Sequence, residues 1–220
     1  MFHRYGLIVG LGVVAVWAVA ERLEPKAGKA LPWILFGALV GARAYHVIDQ
    51  WGYYSTHLAN IFYLWNGGLA IWGGVAGGVG ALFIYYYTVK TLNYFWGTLG
   101  AICTALPLGQ AVGRWGNAVN GEFTNPVLGV VPWWLAESTL DLLLFIELIG
   151  LIGPMRRIGE QGRRQVGLYL VGYGLIRGML DWARVAPWTI SEVPVAVWIS
   201  VVTMLAGTVL LLYKKYPHGV

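Results

Sequence analysis

The chain has 220 residues, of which 58% are hydrophobic and 11% are charged. Globular domains average about 25% charged residues, so this composition excludes an ordinary soluble protein and predicts an all-α, polytopic membrane protein. A single cysteine excludes an intrachain disulfide and a cysteine-rich metal site. The net charge of +5 fits contact with anionic lipid headgroups, and no basic-aromatic motif points to nucleic acid.

Seven apolar segments follow one another along the chain and are joined by short connections. A helix needs about 20 predominantly apolar residues to cross a bilayer. The first segment lacks a small-residue cleavage site, so we expect a membrane span rather than a signal peptide. We therefore predict one integral membrane domain over residues 1–220, with spans at 5–20, 31–48, 67–89, 93–111, 132–153, 166–183 and 194–213.

The basic residues predict the orientation of these spans. Arg4, Arg114 and Arg184 fall on one side of the predicted bundle. Ten others fall on the opposite side: Arg22, Lys26, Lys29, Lys90, Arg156, Arg157, Arg163, Arg164, Lys214 and Lys215. By the positive-inside rule, the N-terminus is expected outside the cell and the C-terminus in the cytoplasm.

The second and third spans carry polar and glycine-rich features. Arg43, His46 and Gln50 share one face of the second span, where His46 is either a base or a hydrogen-bonded bundle residue. Gly67 and Gly68 mark the start of the third span and could open the backbone to a ligand. Small residues four apart predict close approach of another helix to this span: Ala70, Gly74 and Gly78.

A polar cluster follows the fourth span, in the stretch Gly113-Arg114-Trp115-Gly116-Asn117-Ala118-Val119-Asn120-Gly121-Glu122. Polar groups at the edge of a membrane span are costly unless partnered, so the cluster predicts a functional site. Its three glycines permit positive φ angles, and we expect a loop whose backbone N–H groups face a ligand.

The sixth span carries a polar stripe formed by Tyr173, Arg177, Asp181 and Arg184, which are four, four and three residues apart. One interpretation is a structural ion pair between Arg177 and Asp181. The other is an anion site, since several arginines with few acidic residues nearby imply a bound anion and the planar guanidinium suits phosphate.

These motifs, taken in order, resemble the prolipoprotein diacylglyceryl transferases of bacteria over nearly the whole chain. The strongest match is the 113–122 stretch, which resembles the family signature Gly-Arg-x-Gly-Asn followed by Asn-x-Glu. The chain departs from the family at Trp72, Trp134 and Asp181, where histidine, glutamine and glutamate are usual. Shorter matches are Arg4-Tyr5-Gly6, Gly41-Ala42-Arg43, Gly67-Gly68-Leu69-Ala70-Ile71, Pro132 with Leu135 and Glu137, and Tyr173-Gly174 with Arg177, Asp181 and Arg184.

The resemblance implies transfer of a diacylglyceryl group from phosphatidylglycerol to the cysteine thiol of a lipoprotein-precursor signal peptide, forming a thioether. It implies a bacterial inner-membrane enzyme with its site toward the outer face, no cofactor and no metal. Arg114 and Arg177 would stabilise the leaving phosphate, while Glu122, Tyr173 or Tyr5 would accept the thiol proton. The implied substrate-binding residues are Tyr5, Arg43, Gly67, Gly68, Asn117, Asn120, Gly121, Glu137, Asp181 and Arg184.

Two other interpretations stay open. An anion or lipid transporter would also place arginines within spans, although the polar residues concentrate in the outer half of the predicted bundle. A diverged, non-catalytic lipid-binding relative would explain Trp72 in place of the family histidine.

Overall fold

The computed structural model describes residues 4–127, 129–152, 161–182, 189–190 and 192–213. These ranges are mostly helical, and each of the seven predicted segments overlaps one long helix. A short helix, α3 (Trp51–Tyr54), follows the second of them. The long helices are α1 (Arg4–Leu23), α2 (Ala27–Asp49), α4 (Ile71–Thr88), α5 (Phe95–Val119), α6 (Trp133–Ile152), α7 (Gly162–Trp182) and α8 (Val195–Leu212).

Within the residues that the structure describes, four stretches are long and apolar enough to cross a membrane: Arg4–Leu23, Ala27–Asp49, Leu92–Val119 and Val195–Leu212. The predicted all-α membrane class is therefore confirmed, whereas seven crossings and the orientation stay predictions. Helix α6 carries three acids and α7 carries three arginines and an aspartate. The charged groups of both helices need protein partners if they lie in lipid.

In the described part of the chain, two short antiparallel hairpins interrupt the helices. Strands β1 (Pro126–Val127) and β2 (Val131–Pro132) lead into α6, and strands β3 (Thr189–Ile190) and β4 (Val193–Pro194) lead into α8. Each hairpin ends in a proline directly before the next helix, where its missing N–H is tolerated.

The chain forms two compact units. One spans Lys26–Phe95 and contains α2, α3 and α4, while the other contains α1 and α5 to α8. Within the first unit, α2 and α4 are in backbone contact, because a Cβ on Gly41 would lie 2.3 Å from the Gly73 carbonyl oxygen. A Cβ on Gly77 would lie 2.2 Å from the Gly37 carbonyl oxygen. Glycine is required at this crossing.

The close helix approach predicted for α4 is therefore present, but the predicted residues do not make its tightest part. A Cβ on Gly74 or Gly78 would meet α2 atoms only at ordinary distances of 3.4–3.6 Å. The tightest contact is made by Gly73 and Gly77, because the face of α4 that meets α2 is centred on these residues and not on Gly74 and Gly78, the next residues along the helix. The helix itself begins at Ile71, so Gly67 and Gly68 precede it.

In the second unit, α7 packs closely on α8 through small residues. A Cβ on Gly207 would lie 2.7 Å from the Gly167 carbonyl oxygen, and one on Gly174 would lie 2.7 Å from Met204 Cγ. A buried core joins α5, α6 and α7 and consists of Cys103, Leu144, Leu148, Val166 and Tyr169. This packing fixes the helix faces that carry the polar residues described next.

Candidate functional site

Helix α5 continues through most of the polar cluster, so the loop expected over residues 113–121 is wrong as far as Val119. The helix ends in a Schellman motif: Glu122 N–H donates to the Asn117 carbonyl at 2.8 Å, and Gly121 N–H donates to Ala118 at 3.1 Å. Gly121 has the left-handed φ of 70° that this motif requires. Gly113 and Gly116 lie within the helix.

The Schellman turn brings the Glu122 carboxylate back over the last turn of α5. Asn117 Nδ2 donates to Glu122 Oε2 at 2.7 Å, and Asn120 Nδ2 donates to Glu122 Oε1 at 3.3 Å. Phe123, Asn125 and Trp133 join Glu122 around an open cavity of about 380 Å³. The structure thus brings three predicted site residues together beside space for a ligand.

Two arginines from different helices share one buried carboxylate. Arg114 Nη2 on α5 and Arg177 Nη1 on α7 lie 2.6 and 2.7 Å from the same oxygen, Glu137 Oε1 on α6. Arg177 also pairs with Asp181 on its own helix at 2.8 Å. Glu137 is fully buried, whereas the two arginine side chains are 21% and 23% exposed. Four of the predicted residues therefore form one ion-pair network.

The arginines of this network are not short of acidic partners, so that part of the sequence argument is wrong. Besides Glu137 and Asp181, Asp141 on α6 interacts electrostatically with both arginines. Asp141 is fully buried, and neither of its carboxylate oxygens has a hydrogen-bond partner among the described residues. Sequence reasoning missed Asp141, although its position four residues after Glu137 places it on the same face of α6.

The arginines nevertheless retain donors for a ligand. The bond to Glu137 uses one of the five N–H donors of Arg114, and the described residues accept no other side-chain bond from it. Its guanidinium carbon lies 5.9 Å from the centre of the Phe123 ring, in the loop that holds Glu122. A partly exposed guanidinium fixed by a buried carboxylate is suited to bind an anion.

Both predicted tyrosines lie near this network. Tyr173 is half-buried on α7, stacks on Tyr169 at 5.6 Å and interacts electrostatically with Arg177, Glu137 and Arg114. Tyr5 on α1 lies against α5, because a Cβ on Gly116 would be 3.0 Å from its ring. This contact explains a glycine at position 116.

The remaining predicted residues are placed differently. Arg43, Gly67 and Gly68 belong to the unit that contains α2 and α4, where Arg43 is buried and bonds to backbone carbonyls, including Gly67 O at 2.8 Å. All five of its donors are used in this way, so a phosphate would have to displace a backbone carbonyl. Arg184 lies outside the described residues.

The sequence is similar to curated proteins over almost its full length. A relative from Finegoldia magna is 33% identical over 96% of this chain and 91% of its own length, and one from Lactococcus lactis subsp. lactis is 30% identical over 97% and 90%. A third, from Streptococcus uberis, is 28% identical over 99% and 93%. Each is named phosphatidylglycerol–prolipoprotein diacylglyceryl transferase.

The family model described as prolipoprotein diacylglyceryl transferase matches residues 1–213. That range contains the Schellman turn with Glu122, the shared Glu137 carboxylate and both of its arginines. The resemblance inferred from the motifs is confirmed, and the chain belongs to the prolipoprotein diacylglyceryl transferase family.

Proposed function

We propose that this protein transfers the diacylglyceryl group of phosphatidylglycerol to the cysteine thiol of a lipoprotein-precursor signal peptide. Family membership supports the reaction, and the observation that carries the site assignment is the shared contact of Arg114 and Arg177 with Glu137 Oε1. Such a carboxylate fixes two guanidiniums in advance of the reaction, which is the arrangement that stabilises developing negative charge.

The reaction is a displacement at a glycerol carbon. The thiolate sulfur forms the new carbon–sulfur bond, the bond from that carbon to the phosphate oxygen breaks, and glycerol phosphate leaves with the electron pair. Negative charge accumulates on the departing phosphate, where the free donors of Arg114 and Arg177 bind it. The ion pairs with Asp181 and Glu137 fix the positions of the two guanidiniums, so the cations need not reorganise as negative charge develops on the phosphate.

Glu122 is the group that we propose takes the thiol proton. An ionised carboxylate is a hydrogen-bond acceptor only, and the two carboxamide donors of Asn117 and Asn120 orient it beside the open cavity. Tyr173 and Tyr5 then have binding rather than proton-accepting roles, along with Asn117, Asn120, Gly121 and Arg184. Gly67 and Gly68 supply a glycine turn within their own unit.

We also propose that the seven long helices all cross a bacterial inner membrane with the N-terminus outside, which places Arg114 and Glu122 toward the outer face. The distribution of ten basic residues on one side against three on the other supports this orientation.

The reaction is tested directly with the purified chain in vesicles of phosphatidylglycerol and a synthetic precursor peptide that contains the cysteine. We expect a thioether-linked diacylglyceryl peptide and release of one glycerol phosphate per product. A peptide with serine in place of cysteine and vesicles of phosphatidylcholine are the matched controls. Binding of both substrates without thioether formation would refute the transferase assignment.

A further inference from the structure

The connection between α2 and α4 has the composition of a lipid-facing surface. Residues 50–70 contain no Asp, Glu, Lys or Arg. Two short 3₁₀ turns, Leu58–Phe62 and Leu64–Asn66, replace regular helix there. Phe62 and Trp65 are each 77% exposed. Connections that lie in water normally carry charged groups, so the composition of this connection indicates an environment other than water. Its residues 58–68 are called the 58–68 segment below.

The side chain of Arg43 donates hydrogen bonds to the backbone of the 58–68 segment. Its Nε donates to Ile61 O at 2.8 Å, and Nη1 donates to Gly67 O and Gly68 O at 2.8 and 3.1 Å. Nη2 bonds to Asn60 O and reaches Tyr63 O at 3.5 Å. The five donors of one buried side chain therefore serve five carbonyls of the same segment.

The segment is shaped to admit this guanidinium. Gly68 has a φ of 76°, and a Cβ there would lie 2.7 Å from Arg43 Nη1 and 2.6 Å from the His46 ring. The ring of Tyr54 lies 5.2 Å from the guanidinium carbon and covers it from another side. Glycine at position 68 is thus required both by backbone conformation and by the space that Arg43 occupies.

Hydrogen bonds from one guanidinium to several backbone carbonyls are needed where water cannot satisfy those carbonyls. Irregular backbone exposed to water needs no internal donors, whereas irregular backbone at membrane depth must have its polar groups bonded within the protein. Helix α2, which carries Arg43, is itself long and apolar enough to cross a membrane. The exposed aromatic side chains and the bonded carbonyls therefore both indicate that the 58–68 segment lies at membrane depth.

We infer that Arg43 is a positioning residue that holds the 58–68 segment in the lipid bilayer, with Phe62 and Trp65 directed into the interfacial and acyl region. The partner of this surface is the membrane itself. Tyrosine and tryptophan favour that depth because their rings are amphipathic. The inference does not rest on the transfer chemistry, and it is tested by measuring lipid contact rather than product.

The first experiment uses the full chain with Cys103→Ala, which removes the single cysteine, and a nitroxide attached at Phe62→Cys. Phe36→Cys on α2, where the native side chain is 64% exposed, is the reference for lipid contact. In vesicles of phosphatidylglycerol and phosphatidylcholine, we expect collisions with oxygen to dominate over collisions with a water-soluble nickel chelate at both positions. Nickel-dominated collisions at position 62 would overturn the membrane assignment.

The second experiment changes the anchor. Arg43→Lys keeps the charge but loses the planar five-donor fork, so the nitroxide at position 62 should shift from oxygen-dominated to nickel-dominated collisions. The label at position 36 should not move, which shows that α2 is still inserted. Lys29→Arg at an exposed position on the same helix is the charge-conserving control and should leave both labels unchanged. An unmoved label at position 62 in both Arg43→Lys and Gly68→Ala would show that Arg43 does not position the segment.

Discussion

Glu137 joins the two arginines of the network, because both guanidiniums bond to one of its oxygens. Glu137→Gln removes the negative charge that pairs with Arg114 and Arg177, and both partly buried guanidiniums lose an acidic partner. We expect a loss of stability of about 3 kcal/mol, the usual cost of breaking a buried ion pair, together with loss of transfer. Thermal unfolding in detergent measures the first effect. Glu147→Gln, on the exposed face of the same helix, should change neither quantity.

A substitution at Arg114 tests whether the charge of the side chain or the geometry of its guanidinium matters for transfer. Arg114→Lys retains the cation but loses the fork that can bond to Glu137 and to phosphate at once. We expect kcat to fall about 100-fold, the scale of losing one preorganised donor to developing negative charge, with little change in the melting temperature. Arg164→Lys, at an exposed position on α7, is the control. Near-normal kcat in Arg114→Lys would remove this residue from the catalytic list.

Trp72 stands where the family usually has histidine, and it is 51% exposed near the start of α4. An indole N–H only donates hydrogen bonds, so position 72 cannot accept the thiol proton. We expect measurable transfer by the native chain and a pH–rate profile without a limb near pKa 6.5, roughly the value of an unperturbed histidine, that depends on this position. Inactivity of the native chain with rescue by Trp72→His would instead show that the histidine is required.

At the residue scale, sequence spacing identifies most residues of the network but only one of its contacts. The intervals between Tyr173, Arg177 and Asp181 place them on one helix face, and one of the two interpretations of Arg177 with Asp181, an ion pair, is present at 2.8 Å. The contact of Arg114 with Glu137 joins residues 23 positions apart. Helix periodicity relates residues within one helix, so it could not show that α5, α6 and α7 meet at this carboxylate.

At the element scale, the end of α5 offers a test of the corrected helix boundary. Gly121 has a φ of 70°, and a Cβ there would touch nothing within 4 Å, so Gly121→Ala changes backbone conformation alone. We expect a loss of about 1 kcal/mol and a misplaced Glu122. Gly113→Ala has equal space but lies within the helix, where it should stabilise by up to about 1 kcal/mol. Equal effects of the two changes on the melting temperature would contradict the assigned boundary.

Residues 113–119 are helical although their glycine content favours a loop, so the predicted loop is wrong there. Three glycines in nine residues indicate a flexible turn when only propensity is considered. The structure has helix there, and Gly116 faces the Tyr5 ring closely instead of forming a turn. The other six apolar segments, in contrast, form helices within about four residues of their predicted bounds, because a long apolar stretch in lipid must satisfy its backbone hydrogen bonds internally.

At the scale of the whole molecule, the positive-inside rule and the helix count lead to one arrangement that labelling can check. The connection between α5 and α6 contains Thr124 at an exposed position, and α7 is preceded by Gln161. If all seven long helices cross the membrane and the N-terminus is outside, these two positions face opposite compartments.

In a Cys103→Ala background, a membrane-impermeant maleimide should therefore label Thr124→Cys in intact cells. It should reach Gln161→Cys only after the membrane is permeabilised. Neither substitution removes a basic residue, so the charge distribution that sets the orientation is preserved. Labelling of Gln161→Cys in intact cells, with protection of Thr124→Cys, would invert the topology and place Arg114 and Glu122 on the cytoplasmic face, where they could not act on a precursor cysteine that has already crossed the membrane.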